Sequence, residues 1–215
     1  MPVVSSRLAA ICLLSLLAAG CATSQSMSDA DRAQVAAVNI SDNVQMPAKI
    51  TYLGPLGGAG LMFGVAGALA TVSPNNDDGM KLQAFAEQNN VSIQKIVTDE
   101  LAAAIKDSGK IHLTDSPTDA SATITVNIKQ YGFSVVHSFG SGLVPILFVQ
   151  CSMVDKSGRV IWQGGDAIRP LGNPVDSVKT TDLQDPAVIE KEWRLGAKAV
   201  AKDIVSGLPG AAAQP

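Results

Sequence analysis

Residues 122–129 read Ala-Thr-Ile-Thr-Val-Asn-Ile-Lys, and this stretch decides the fold class. Its apolar residues alternate strictly with polar ones, which is the pattern of a β-strand with one buried face. We therefore predict a strand that begins at Ala122, covers a core with one face and continues towards Val135.

Two more strands follow this one along the chain. After a loop at 138–142, residues 143–154 form a second, more apolar run. Residues 155–158, Asp-Lys-Ser-Gly, have the composition of a hairpin turn, with Gly158 where a positive φ is most needed. Residues 159–163 then return as a third strand. Three consecutive strands joined in this way form an antiparallel meander.

Two helices flank the meander. Apolar residues at three- and four-residue steps predict a helix over 77–108, which Gly109 ends, and Asn89-Asn90-Val91 is a weak point where it kinks or restarts. The second helix has Asp185 as N-cap and Pro186 as its first residue, and it stops at Gly207.

Short strands at 49–53 and 110–114 complete the order β-α-β-β-β-β-α. We predict an α+β fold, with a mostly antiparallel sheet of about five strands and two helices packed on one face. A single domain over 49–208 is expected, followed by a tail at 209–215.

The beginning of the chain carries a leader. Arg7 is followed by an uncharged apolar run and by the small residues Ala19 and Gly20, directly before Cys21. This resembles the lipobox of bacterial lipoproteins, although Ala18 stands where that pattern usually has Leu. The alternative is an ordinary secretory signal whose cut falls near a cysteine.

The lipobox resemblance implies that residues 1–20 are a signal peptide and that Cys21 becomes the lipidated N-terminus, with three acyl chains. Because Ala22 follows the cysteine rather than Asp, it also implies the outer membrane, on its periplasmic face. Residues 21–48 are polar and lack a sustained apolar period, so we predict a flexible tether that reaches about 25–30 Å.

A glycine-rich apolar insertion lies at 54–72, inside a stretch without charged residues between Lys49 and Asp77. It can cap the sheet as a loop, form a glycine-zipper hairpin that self-associates or dips into a membrane, or span a membrane. Its small-residue spacing and its aromatic side chain mark the candidate contacts with a membrane or partner: Gly60, Phe63, Gly64 and Ala68.

Composition and charge exclude some functions. The 215 residues carry a net charge of −3 without a Lys/Arg cluster, so we expect no nucleic-acid partner. Cys151 with His137 or His112 has no flanking signature of a nucleophile and base, and a buried structural thiol is the expected role of Cys151. We expect no catalytic residues, no metal site and no cofactor.

Two carboxylates and the two tryptophans are expected to have structural roles rather than catalytic or ligand-binding ones. Glu190 and Glu192 are expected on the solvated face of the last helix, and Trp162 and Trp193 are expected as core anchors rather than ligand stackers.

A second resemblance covers roughly residues 80–205. The long helix, a strand ending near Tyr131-Gly132 and the hairpin 154–162 are similar to periplasmic α+β modules of envelope lipoproteins related to the curli-secretion lipoprotein and the TolB N-terminal domain. Proteins of this shape act as assembly, secretion or transport accessories without catalysis.

We therefore expect a non-enzymatic outer-membrane lipoprotein that binds an envelope protein or itself through residues 54–72. The main alternative is a lipid- or small-ligand-binding carrier with 54–72 as the lid of a cavity. An envelope hydrolase is the third possibility.

Overall fold

The computed structural model describes residues 24–54, 77–136 and 142–210, apart from the side chain of Asp77. Predictions for the leader, for most of the glycine-rich insertion, for the loop beyond Val136 and for the last five residues lie outside this part of the chain. The described helices are α1 (Asp29–Arg32), α2 (Asp77–Gln88), α3 (Ile93–Ser108), a 3-10 helix (Thr180–Gln184) and α4 (Pro186–Ser206). The described strands are β1 (Val38–Ile40), β2 (Thr51–Leu53), β3 (Ala122–Val135), β4 (Gly142–Asp155), β5 (Val160–Ile168) and β6 (Val178–Lys179).

The six described strands form one sheet around the predicted meander. β3, β4 and β5 are antiparallel neighbours, and β6 pairs antiparallel with the start of β4. β1 and β2 both run parallel to β3, along its first and last parts. The α+β class is confirmed, with a sheet that is mixed at the β3 edge.

A β-bulge at Lys129 explains how β3 keeps its core face over 14 residues. Before it, Ile124, Val126 and Ile128 are buried opposite core residues of β4. After it, the register shifts by one residue, so that Tyr131 and Phe133 are buried on the same face. The bulge therefore extends the apolar face that the helices cover beyond the alternating stretch.

The predicted helix over 77–108 is two helices. Asn90 has a φ of 59°, which stops α2, and the side chain of Ser92 accepts a hydrogen bond from the backbone N–H of Lys95 as the N-cap of α3. Gly109 ends α3 in the left-handed conformation, with a φ of 61°, as predicted. The restart lies at the weak point that the sequence indicated.

Residues 110–114 are not a strand, contrary to the prediction. Only Leu113 forms a bridge, and its partner is Val38 of β1. The backbone N–H of Val38 donates to the carbonyl oxygen of His112, and that of Thr114 donates to the carbonyl oxygen of Val38. β1 itself takes the position beside β3.

The described part of the predicted tether, residues 24–48, lies on the domain. Met27, Val38 and Val44 are buried in the core. These apolar side chains lack a regular period, yet all three belong to the same core as the sheet and the helices. This finding replaces the flexible tether with a folded segment in the described range.

Candidate functional site

The residues that the sequence singled out for anchoring and contact are Cys21, Gly60, Phe63, Gly64 and Ala68. All of them lie outside the described residues, as does His137. Of the residues that follow Cys21 in sequence, those from Ser24 onwards are described, and they lie against the domain.

The N-terminal segment, residues 24–32, is fixed to the outer edge of β5. The backbone N–H of Gln25 donates to the carbonyl oxygen of Gln163 at 2.8 Å, and the N–H of Gln163 donates back at 2.9 Å. Met27 is only 6% exposed, and burial of a side chain of this size contributes about 1.5–3 kcal/mol. Backbone hydrogen bonds and the burial of an apolar side chain therefore both hold this segment against the domain.

An ion pair adds a third contact. Arg159 bonds the carboxylate of Asp31 with Nη2, 2.5 Å from Oδ1, and its Nη2 also lies 3.1 Å from Oδ2 of Asp155. The hydrogen bond from Arg159 lowers the pKa of Asp31 from its usual range. α1 is thereby tied to the β4–β5 hairpin.

The helix break beside Asn90 leaves a cavity of about 310 Å³ between α2, α3 and the sheet. Tyr131 and Trp193 line it, with ring centroids 5.7 Å apart in an edge-to-face arrangement. The Nε1–H of Trp193 is buried without a hydrogen-bond partner among the described residues. Burial raises the pKa of Tyr131 to about 12, with the charge of Glu87 acting in the same direction. The cavity therefore has aromatic residues in its wall and a size at the lower end of small-molecule sites.

A larger groove of about 660 Å³ lies between the chain after β1 and α3. Its lining is largely polar, with Asn39, Asp42 and Thr98 among it. Lys95 in the groove is paired with Asp99 at 2.8 Å. Such a lining does not suit an acyl chain, because the polar groups would lose their hydration without gaining hydrogen bonds.

Cys151 has the structural role that the sequence indicated. It is 1% exposed on β4, and burial raises its pKa to about 12, so the thiol is protonated at neutral pH. His112 is exposed, and among the described residues no cluster of three His, Cys, Asp or Glu side chains could hold a metal ion. The thiol cannot act as a thiolate nucleophile in this environment.

Both tryptophans are core anchors, as predicted. Trp193 packs against Tyr131 and Phe133, and Trp162 donates from Nε1 to the carbonyl oxygen of Gly207 at 3.3 Å. Glu192 is a correction, because it is 2% exposed rather than solvated. One of its oxygens lies 3.3 Å from Nζ of Lys191 and the other has no partner among the described residues. Glu192 lies three residues after the buried Ile189 and four before the buried Gly196, so it shares the side of α4 that faces the protein.

No described helix is both long enough and apolar enough to cross a membrane. No family model matches the chain, and no curated protein matches it in sequence.

Solved structures of low sequence identity align with most of the chain. The PelC dodecamer from Paraburkholderia phytofirmans is 12% identical over 87% of this chain and 97% of its own, with a TM-score of 0.38. Protein XCC0632 from Xanthomonas campestris, of the DUF330 family, is 10% identical over 84% of this chain and 87% of its own, with a TM-score of 0.46. A minor lipoprotein from Acinetobacter baumannii is 10% identical over 81% of this chain and 97% of its own, with a TM-score of 0.33. These similarities concern the fold alone.

Proposed function

We propose that this chain is a non-enzymatic lipoprotein, anchored in the outer membrane by lipid on Cys21, which acts in the periplasm as an interaction or assembly accessory. Secretion, transport and envelope maintenance are the processes that such an accessory serves. The observation that carries this proposal is the predicted leader at residues 1–20, which is followed directly by Cys21, four residues before Gln25 pairs with β5.

The burial of Cys151 and the raised pKa of its thiol support the proposal that this protein is not an enzyme. A nucleophilic cysteine needs a thiolate, and the pKa of this thiol is raised to about 12. The protonated thiol of Cys151 therefore does not support the envelope hydrolase that the sequence analysis gave as a third possibility.

The proposed contact surface is the uncharged insertion 54–72, with Gly60, Phe63, Gly64 and Ala68. A stretch of this length without charge is expected to be covered by protein or lipid. Its partner is an envelope protein or a second copy of the chain.

Crosslinking in intact cells tests this function. A photoreactive amino acid replaces Phe63, and a matched control places it at Gln88, which is exposed on α2. We expect one defined envelope protein, or the chain itself, to be captured from position 63 and not from position 88. Capture of lipid alone, or equal capture from both positions, would contradict an interaction accessory.

A carrier of small ligands is the second candidate, because Tyr131 and Trp193 line a cavity of about 310 Å³. Native mass spectrometry of the protein released gently from membranes distinguishes the two. An equimolar non-covalent ligand would favour the carrier, whereas a mass explained by the chain and its anchor favours the accessory.

A further inference from the structure

The cavity beside Trp193 is built by elements that lie far apart in the sequence. Its lining residues lie before β2, on α2, on the connection from α2 to α3, on the first turn of α3, on β3 and on α4. Its volume of about 310 Å³ is at the lower end of small-molecule sites, so it suits a small ligand.

The buried part of the lining is aromatic and apolar. Tyr131 is 2% exposed and Trp193 is 3% exposed. The other apolar side chains in the lining are those of Met46, Ala86, Val91 and Ile93. Such walls hold the apolar body of a ligand, and the ring faces of tyrosine and tryptophan also attract cations.

The solvent-exposed part of the lining is polar and acidic. Glu87, Asn90 and Gln94 line the cavity and are exposed. Among the described residues that line it, none is Lys, Arg or His, and Glu87 alone has a charged side chain. The charge at the mouth of the cavity is therefore negative.

The carboxylate of Glu87 is held in place by hydrogen bonds. The backbone N–H of Ile50 donates to Oε1 of Gln83 at 3.3 Å, and Nε2 of Gln83 donates to Oε1 of Glu87 at 2.9 Å. Since a backbone N–H can only donate, the first bond fixes which end of the Gln83 amide faces Glu87. Burial raises the pKa of Tyr131 to about 12, and the charge of Glu87 adds to this effect. The carboxylate thus acts electrostatically on the buried end of the cavity.

Two side-chain oxygens of the lining remain available to a ligand. Oε2 of Glu87 has no hydrogen-bond partner among the described residues. Nε2 of Gln94 donates to the carbonyl oxygen of Val44 at 3.4 Å, which leaves Oε1 of Gln94 as an unused acceptor within the described part of the chain. An ammonium group donates to such oxygens and gains from the charge of Glu87, whereas a neutral ligand lacks that gain and an anion is repelled.

We propose that the cavity beside Trp193 binds a small organic cation, which consists of an ammonium group on a short apolar body. The ammonium group lies beside Glu87 and Gln94, and the apolar body packs against Tyr131 and Trp193. This inference rests on the small-ligand carrier that is the second candidate function. It depends neither on the lipidation of Cys21 nor on the insertion 54–72.

Calorimetric titration of the protein, released from membranes in a mild detergent, tests the preference for a cation. The probes are 2-phenylethylammonium and 2-phenylethanol, which have the same apolar body and differ in charge. Glu87→Gln removes the charge and keeps an oxygen that accepts from Gln83. Asp107→Asn is the matched control, because Asp107 is an exposed carboxylate on α3 that does not line this cavity. Titration of the detergent alone corrects for partitioning of the probes into micelles.

We expect the ammonium probe to bind more tightly than the alcohol. Glu87→Gln should weaken binding of the ammonium probe by about fivefold, the upper end of what an exposed ion pair contributes. Asp107→Asn should change it by less than about twofold, because salt screens charges outside the cavity.

Equal affinities for the two probes, or an affinity for the ammonium probe that Glu87→Gln leaves unchanged, would overturn the cation preference while leaving a small-ligand carrier in place. Binding of neither probe at millimolar concentrations would overturn the cation site. The carrier itself is then judged separately, by the ligand that native mass spectrometry does or does not detect.

Discussion

At the scale of single residues, Gly132 is the position where two backbones meet most closely. Its φ is 142°, and a Cβ there would lie 1.8 Å from the carbonyl oxygen of Thr51. No side-chain adjustment relieves a contact with backbone, so β2 has to leave β3 when a side chain is added. Gly158 offers a matched control, because it has a φ of 86° but nothing within 4 Å of an added Cβ.

We expect Gly132→Ala to destabilise the protein by more than about 3 kcal/mol, and Gly158→Ala by about 1–2 kcal/mol, the usual cost of a left-handed alanine. Urea unfolding of both variants measures the difference. Equal losses would show that β2 does not approach β3 as described.

Cys151 gives a second prediction at this scale. Since burial raises its pKa to about 12, the thiol should resist alkylation at pH 8 in the folded protein and react only after unfolding. Cys151→Ala should retain function in cells, with a stability loss of about 1–2 kcal/mol for the smaller side chain. A Cys151→Ala protein that folds but has lost its function would contradict this prediction and support the hydrolase hypothesis.

The sequence predicted residues whose role is local and missed those whose role depends on distant neighbours. Gly109 and Gly158 were expected from the helix end and the turn in which they lie. Gly132 is required by Thr51, which is far away in the sequence. Glu192 has a charged side chain, so its residue type predicts a solvated position. Only the packing of α4 against the sheet buries it.

At the scale of elements, the pairing of α1 with the β4–β5 hairpin depends on one side chain, that of Arg159. Arg159→Ala should loosen residues 24–32 while changing global stability by less than about 1 kcal/mol, since exposed ion pairs contribute little. Hydrogen exchange of the Gln25 and Gln163 amides measures the loosening. Lys156→Ala is the control and should leave both amides as protected as in the unmodified protein.

The same pairing has a defined pH dependence. The hydrogen bond from Arg159 lowers the pKa of Asp31 below 3.8, so the pairing contributes above that value and is lost as the pH falls through the lowered pKa. Protection of the Gln25 amide, corrected for the intrinsic pH dependence of exchange, should therefore be unchanged between pH 7 and pH 5 and fall only in stronger acid. Loss of protection near pH 6 would point to another group.

The meander of β3, β4 and β5 could be predicted because alternating apolar and polar residues and turn residues are patterns that extend over only a few positions of the sequence. The strand predicted at 49–53 is confirmed as β2, but its parallel pairing with β3 could not be predicted, and neither could β1, because three-residue strands carry little pattern and their positions are set by the edge of β3. The cavity beside Trp193 was also beyond the sequence, since it results from the way that α2 and α3 separate at Asn90.

At the scale of the whole molecule, only four residues of sequence separate Gln25, which is paired with Gln163 of β5, from Cys21, the proposed site of lipidation. An extended chain of this length spans at most about 14 Å. If Cys21 carries lipid, as we propose, the domain stays close to the bilayer rather than at the end of a long flexible tether.

The most direct test of the whole account is mass spectrometry of the mature N-terminus, purified from the outer-membrane fraction. We predict an N-terminal peptide that begins at Cys21 and carries three acyl chains. An intact leader, or an unmodified N-terminus at another residue, would contradict the account.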